Sequence, residues 1–258
     1  MSSLFYQTHQ CAENAPWIIL IHGLFGNSDN LAGLKRGLAD KYNVLSLDLP
    51  DHGKSLRTEE FSFSKYAEHI VELLNELNIK NANIIGHSLG GKIAMQIALN
   101  YPQLIAALVV IDIAPVAYAP RHQAVLAGLN NIDLTKINSR KDAELILQQY
   151  VQEPSTRQFL LKSLYQQQNS WHWYFNLTLL NRDYAKLSQA IEAQTPYNGP
   201  TMFIKGELSD YIQSEHRSQI LKLFPHSQLK IVGASGHWLH AEKPALCVKL
   251  IDNFLTKA

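Results

Sequence analysis

Short apolar runs alternating with amphipathic helical stretches predict a doubly wound, mostly parallel α/β sheet carrying one helical insertion. Three observations carry the prediction. Residues 17–21, 44–50, 82–85, 108–111, 201–204 and 229–232 are short and largely apolar, as strands buried on both faces of a parallel sheet are. Between them lie stretches with helical spacing, so strand and helix alternate. The alternation stops after residue 113 and resumes near 199, with helical patterns and no strands between. The expected organisation is a core of residues 1–113 and 199–258 with a helical cap, 114–198. The cap should sit over the carboxyl ends of the strands, where such sheets bind ligands.

Taken in order, residues 4–9 alternate weakly and suit an edge strand. The run at 17–21 ends at His22-Gly23, and a polar loop leads to a helix with Leu31, Leu34 and Leu38 inward. The strand at 44–50 is followed by the turn cluster Asp51-His52-Gly53-Lys54-Ser55. Helical spacing from Ser64 puts Ala67, Ile70, Val71, Leu74 and Leu77 on one face. The strand at 82–85 and its helix, with Ala94, Ile93, Ile97 and Ala98 inward, end near Asn100-Tyr101-Pro102. In the insertion, Ser155 and Gln158 read as a capping box, and residues 171–175 form an aromatic cluster. A helix near 220–224 and a last one at 244–254 complete the pattern.

Composition narrows the function. The 258 residues are 46% hydrophobic and 17% charged, with a formal charge of +1. No basic block suits nucleic acid or an anionic membrane surface. Cys11 and Cys247 lie near opposite ends without metal-ligand spacing. The first seven residues lack a basic and apolar leader, and the most apolar stretch stops at Asp112, far short of a membrane span. The expectation is a cytoplasmic protein without membrane insertion.

The chemistry centres on Gly86-His87-Ser88-Leu89-Gly90. This G-x-S-x-G spacing between a strand and a helix is the nucleophile elbow: the turn is too tight for β-carbons at the glycines and lifts the serine hydroxyl above the strand ends. The Leu89 amide, in the first helical turn, lacks a backbone acceptor and can point at the same spot. A serine hydroxyl needs a base held by a third group, in the chain order Ser, Asp or Glu, His. His237, in the loop Gly233-Ala234-Ser235-Gly236-His237-Trp238 after the last strand, fits the base. His240, at a helix start, suits packing or local hydrogen bonding. The loop His22-Gly23-Leu24-Phe25-Gly26 should supply a second oxyanion amide from Leu24. His22, His87, Asp48 and His52 read as scaffold, and Trp171 and Trp173 as either acyl-pocket lining or cap packing.

Two carboxylates compete for the third position. The loop after the strand at 201–204 is the common place, but in Gly206-Glu207-Leu208-Ser209-Asp210 a serine stands where the carboxylate is usual. Asp112 ends the strand that follows the elbow helix, so its end should open beside Ser88. A carboxylate closing so apolar a run needs a partner.

The blocks His22-Gly23-Leu24-Phe25-Gly26, Gly86-His87-Ser88-Leu89-Gly90-Gly91-Lys92, Val110-Ile111-Asp112-Ile113-Ala114-Pro115-Val116 and residues 236–244 resemble the YbfF-type bacterial esterases of the α/β-hydrolase superfamily. The resemblance extends over nearly the whole chain. It implies an α/β-hydrolase fold and places the acid at Asp112. It also implies a carboxylesterase of small to medium acyl esters, with acyl-CoA thioesters as a further class. Expected substrate contacts are Phe25, Trp171 and Trp238. The expected cycle runs through an acyl-enzyme on Ser88 with His237 as base, Asp112 as acid and the Leu24 and Leu89 amides as oxyanion hole, and requires no metal or organic cofactor. Another cofactor-free reaction on the same fold, such as carbon–carbon bond hydrolysis or a lyase, or a ligand-binding protein without turnover, are the alternatives.

Overall fold

The computed structural model describes residues 4–258, so the first three residues of the expected core lie outside it. The first part of the chain comprises β1 (Tyr6–His9), β2 (Trp17–Ile21), α1 (Ala32–Leu38), β3 (Asn43–Leu47), α2 (Phe63–Glu76), β4 (Ala82–His87), α3 (Leu89–Asn100) and β5 (Ile105–Ile111). The insertion follows as α4 (Gln123–Asn130), α5 (Arg140–Leu147), α6 (Pro154–Leu161), β6 (Leu164–Gln167), β7 (Ser170–Trp173), α7 (Leu177–Arg182) and α8 (Tyr184–Leu187). The chain closes with β8 (Thr201–Gly206), α9 (Arg217–Leu223), β9 (Ser227–Val232), α10 (Leu239–Glu242) and α11 (Pro244–Leu255).

Seven strands form one sheet in the order β1-β3-β2-β4-β5-β8-β9, parallel throughout except for the edge strand β1. Alternate residues feed two cores. Ile18, Leu20, Ile85, Val109 and Ile111 pack with Leu34, Leu38, Ile251 and Phe254 of α1 and α11. Ile19, Ile21, Ile84, Leu108 and Val110 pack with Ile70 and Leu74 of α2 and Ile93 and Ile97 of α3. Two covered faces are why these strands read as unbroken apolar runs. Each fully buried aliphatic side chain contributes about 1.5–3 kcal/mol. Among the described residues no helix is long and apolar enough to cross a membrane.

The register decides where the chemistry goes. Ile21 pairs with Gly86, His87 with Ile111, and Ile111 with Ile204, so the carboxyl ends of β2, β4, β5 and β8 finish nearly level. The residues that follow these ends (His22, Ser88, Asp112, Glu207) are gathered along one edge of the sheet, with the loop after β9 beside them.

The insertion differs from the expectation in two respects. It contains a β-hairpin, β6–β7, pairing Leu164 with Trp173 and Gln166 with Trp171. Its turn residues Gln168 and Asn169 have φ of 48° and 63°, the left-handed pair a two-residue hairpin needs. Without glycine that signal is hard to see. Nor does Ser155 cap a helix: α6 starts with Glu153 at its N-cap and Pro154 in its first turn, with no side-chain cap. Proline's fixed φ and missing N–H suit that position.

Candidate active site

Ser88 sits between β4 and α3 with φ 53° and ψ −119°, outside the left-handed helical well open to non-glycine residues. Such a conformation costs about 1–3 kcal/mol and persists only where its surroundings enforce it. Here they do. A β-carbon on Gly86 would lie 2.2 Å from the Gly90 carbonyl oxygen, and one on Gly90 would lie 2.3 Å from that of Ile21. The Ser88 N–H donates to Ile111 O at 3.0 Å, and its carbonyl accepts from Lys92 N at 3.1 Å. Its side chain makes no capping bond to α3, so the serine is not there as a helix cap.

Asp112 follows β5 with φ 53° and is completely buried. Its N–H donates to Ile204 O at 2.8 Å, anchoring it to the end of β8. One carboxylate oxygen, Oδ1, accepts from Gly206 N at 3.0 Å; the other, Oδ2, accepts from His237 Nδ1 at 2.7 Å and from the Ser209 hydroxyl. Three donors replace the water lost on burial. Asp210 instead points outward, its side chain 69% exposed and paired with Arg121. The serine in the usual place of a carboxylate thus donates to a carboxylate arriving from the neighbouring strand.

His237 is held from further directions. Tyr211 stacks on its ring at 4.0 Å between centroids, and its carbonyl accepts from His87 Nε2 at 2.9 Å. The loop around it is pinned by Glu207, which accepts from Ala234 N at 2.8 Å, and by Glu242, which accepts from Gly236 N at 2.9 Å. The two neighbouring histidines play different parts. Burial pulls the pKa of His87 well below the usual value, which keeps the ring neutral with its donor on Nε2. Burial lowers His240 to about 3, and its ring packs 4.3 Å from His87.

The loop after β2 is shaped by His22, whose Nδ1 donates to Gly23 O at 2.8 Å and whose Nε2 accepts from Leu49 N at 3.0 Å. Both ring nitrogens are used as in the neutral form, and burial lowers the pKa accordingly. Asp48 organises the adjoining turn by accepting from Ser28 N at 2.7 Å and Lys54 N at 2.9 Å. His52 donates from Nδ1 to Pro50 O at 2.9 Å. Leu24 and Leu89 flank Ser88, and the Leu89 amide, opening α3, lacks an intrahelical acceptor.

Two cavities meet at Ser88, and Leu24 and His122 line both. The smaller encloses about 50 Å³ among residues including Leu89, Ile113, Tyr118, Leu187 and Tyr211. The larger measures about 770 Å³; Phe25, Phe159, His237 and Trp238 are in its wall. Trp171, an expected substrate contact, is in neither of these two walls. It lies in the hairpin of the insertion, and its neighbour Trp173 stacks on Phe175 at 5.0 Å, which leans on Phe25 at 5.0 Å. This cluster packs the insertion against the loop after β2.

Sequence reasoning did not single out Lys92 or Tyr211. Lys92 is buried in α3, and its ammonium donates to the carbonyls of Val116 at 3.0 Å, Ser188 at 3.5 Å and Gln189. It lies 5.0 Å from the centre of the Tyr118 ring, and burial lowers its pKa to about 7. Its position in the elbow helix, four residues after the serine, was the only available signal. Tyr211 had none. Among the described residues no group of three or more His, Cys, Asp or Glu side chains is placed to hold a metal ion.

Comparison with known proteins agrees with this fold. The family model of the alpha/beta hydrolase fold matches residues 16–244. Esterase YbfF of Escherichia coli is 35% identical over 250 residues, covering 96% of this chain and 96% of that protein. The sn-1-specific diacylglycerol lipase ABHD11 of Xenopus laevis is 34% identical over 263 residues, covering 99% of this chain and 84% of that one. Among solved structures, a marine microorganism esterase matches with a TM-score of 0.94 at 31% identity, covering 98% of this chain and 100% of that one. The chain belongs to the α/β-hydrolase family, in the group of the YbfF-type esterases.

Proposed function

We propose that the protein is a serine carboxylesterase that forms an acyl-enzyme on Ser88. The observation that carries the reading is the buried Asp112 accepting from His237 Nδ1 at 2.7 Å, with His237 and Ser88 in the wall of one cavity. That bond leaves His237 Nε2 as the basic nitrogen. In the proposed cycle Nε2 takes the Ser88 proton as Oγ attacks an ester carbonyl. The Leu24 and Leu89 amides receive the oxyanion, each worth roughly 10²–10³ in rate. His237 then protonates the departing alkoxide, and water repeats the sequence to release the acid and restore the serine. Asp112 fixes the tautomer and stabilises the imidazolium. The segment 114–198 acts as the cap, and its residues line part of both cavities. Small to medium acyl esters are the proposed substrates, and acyl-CoA thioesters can follow the same steps with a thiolate as leaving group. The names of the relatives, an esterase and a lipase, support ester hydrolysis. The test is hydrolysis of p-nitrophenyl butyrate and of butyryl-CoA by wild type and Ser88→Ala. Turnover by the wild type alone is expected; equal turnover by both would overturn the reading.

A further inference from the structure

An ester carbonyl held at Ser88 carries two substituents that must leave the site in different directions. One is the acyl chain, which stays on the serine. The other is the alcohol, whose oxygen must take a proton from His237 when the tetrahedral intermediate collapses. The alcohol therefore departs on the side where His237 is exposed. His237 is in the wall of the larger cavity, whereas the smaller cavity lies on the Leu89 side of Ser88 without it. Resting on the acyl-enzyme reading above, we propose that the small cavity receives the acyl chain and the large one the alcohol, making this an esterase for short, uncharged acyl groups on bulky alcohols.

Volume sets the length. At about 30 Å³ for each liquid water, the small cavity's 50 Å³ has room for roughly two water-sized groups. It therefore suits the shortest acyl chains. The 770 Å³ on the other side is within the usual span of about 300–1,000 Å³ for a whole small-molecule site.

The small cavity is also hard to enlarge. Lys92, in its wall, ties α3 to carbonyls at both ends of the insertion, Val116 at one end and Ser188 and Gln189 at the other. The Tyr118 hydroxyl accepts from Ala114 N at 2.8 Å and donates to Tyr211 O at 2.6 Å. These bonds join the segment after β5 to the loop after β8. The charges in this wall are occupied: the Lys92 ammonium by carbonyls, and the Arg121 guanidinium by Asp210 and the faces of Tyr118 and Tyr211. The remaining surface comes largely from Leu89, Ile113 and Leu187, which favours an apolar chain.

The test measures kcat/KM for p-nitrophenyl acetate, butyrate, hexanoate and octanoate, and for ethyl against naphthyl acetate. In wild type the acyl series should peak at acetate or butyrate and fall about tenfold or more by octanoate, because overfilling a fixed cavity is costly. Naphthyl acetate should be at least as good a substrate as ethyl acetate. Leu187→Ala, with Leu187→Val as the milder change if folding suffers, should raise octanoate relative to butyrate. Phe159→Ala, in the large cavity, should alter the naphthyl to ethyl ratio and leave the acyl ranking as it is. An octanoate optimum in wild type, or an acyl ranking that moves with Phe159 rather than Leu187, would overturn the assignment. Ser88→Ala separates the two levels. If hydrolysis survives it, the acyl-enzyme reading fails. If hydrolysis needs Ser88 but prefers long chains, only the cavity assignment fails.

Discussion

Replacing Asp112 by Asn changes no volume but removes an acceptor where three donors converge. The carboxylate receives Gly206 N–H on Oδ1, and His237 Nδ1–H and the Ser209 hydroxyl on Oδ2. An amide has one oxygen. If it faces His237, its NH₂ confronts the Gly206 N–H and leaves a buried donor unsatisfied, which costs about 1–3 kcal/mol. If it faces Gly206, its NH₂ meets His237 and favours the tautomer with the proton on Nε2, which cannot act as a base. The second arrangement satisfies the buried backbone, so it should prevail. The expected loss in kcat is roughly 10⁴, equivalent to about 5 kcal/mol of transition-state stabilisation. Asp210→Asn is the comparison, because that carboxylate is exposed and paired with Arg121; a surface pair of this kind is worth about 0–1 kcal/mol. The assay is steady-state hydrolysis of p-nitrophenyl butyrate, with circular dichroism to confirm folding. A near-normal Asp112→Asn beside a collapsed Asp210→Asn would refute the assignment.

Other expectations follow from the same contacts. Ser209→Ala should lower kcat about tenfold, the cost of one hydrogen bond to a charged group, while an unchanged kcat would show that Ser209 does not help position Asp112. His237→Ala should abolish ester turnover without loss of fold, whereas His240→Ala, emptying a buried site against His87, should lower thermal stability and retain turnover; the reverse ranking would exchange their roles. Lys92 gives a pH signature. Its ammonium persists in the unfolded chain to the ordinary 10.5 but is lost in the folded protein at about 7. Between these values the unfolded chain holds the extra proton, so the lysine's contribution makes stability rise with pH, by up to ~1.4 kcal/mol per unit. The cost of burying the charge is present in full below that window. Urea midpoints measured across it should rise more steeply in wild type than in Lys92→Met, and equal slopes would contradict an ammonium disfavoured by burial.

The sheet was legible because its central strands are covered on both faces, so their apolar runs needed no partner to be recognised. The elbow was legible because it is local: Gly86 and Gly90 are demanded by backbone contacts within and beside the turn. The choice between Asp112 and Asp210 is of another kind. It depends on which strand ends meet, and only the β5–β8 register, with Ile111 opposite Ile204, brings Asp112 under the loop that holds Ser209. Ser209 left a trace, standing where a carboxylate is usual, but its bond to Asp112 spans 97 positions in the chain. The hairpin β6–β7 was hidden because Gln168 and Asn169 adopt left-handed backbone without glycine. Trp171 was ambiguous for a simpler reason. An aromatic cluster in an insertion suits a ligand and a packing surface equally, and only the tertiary arrangement separates them.

The claim on which the rest depends is a covalent intermediate at Ser88. Incubation with a fluorophosphonate probe, followed by intact mass and peptide mapping, tests it most directly. A single adduct per chain on the peptide containing Ser88, absent from Ser88→Ala, is the predicted result. Equal labelling of wild type and Ser88→Ala, or an adduct on another residue, would contradict it.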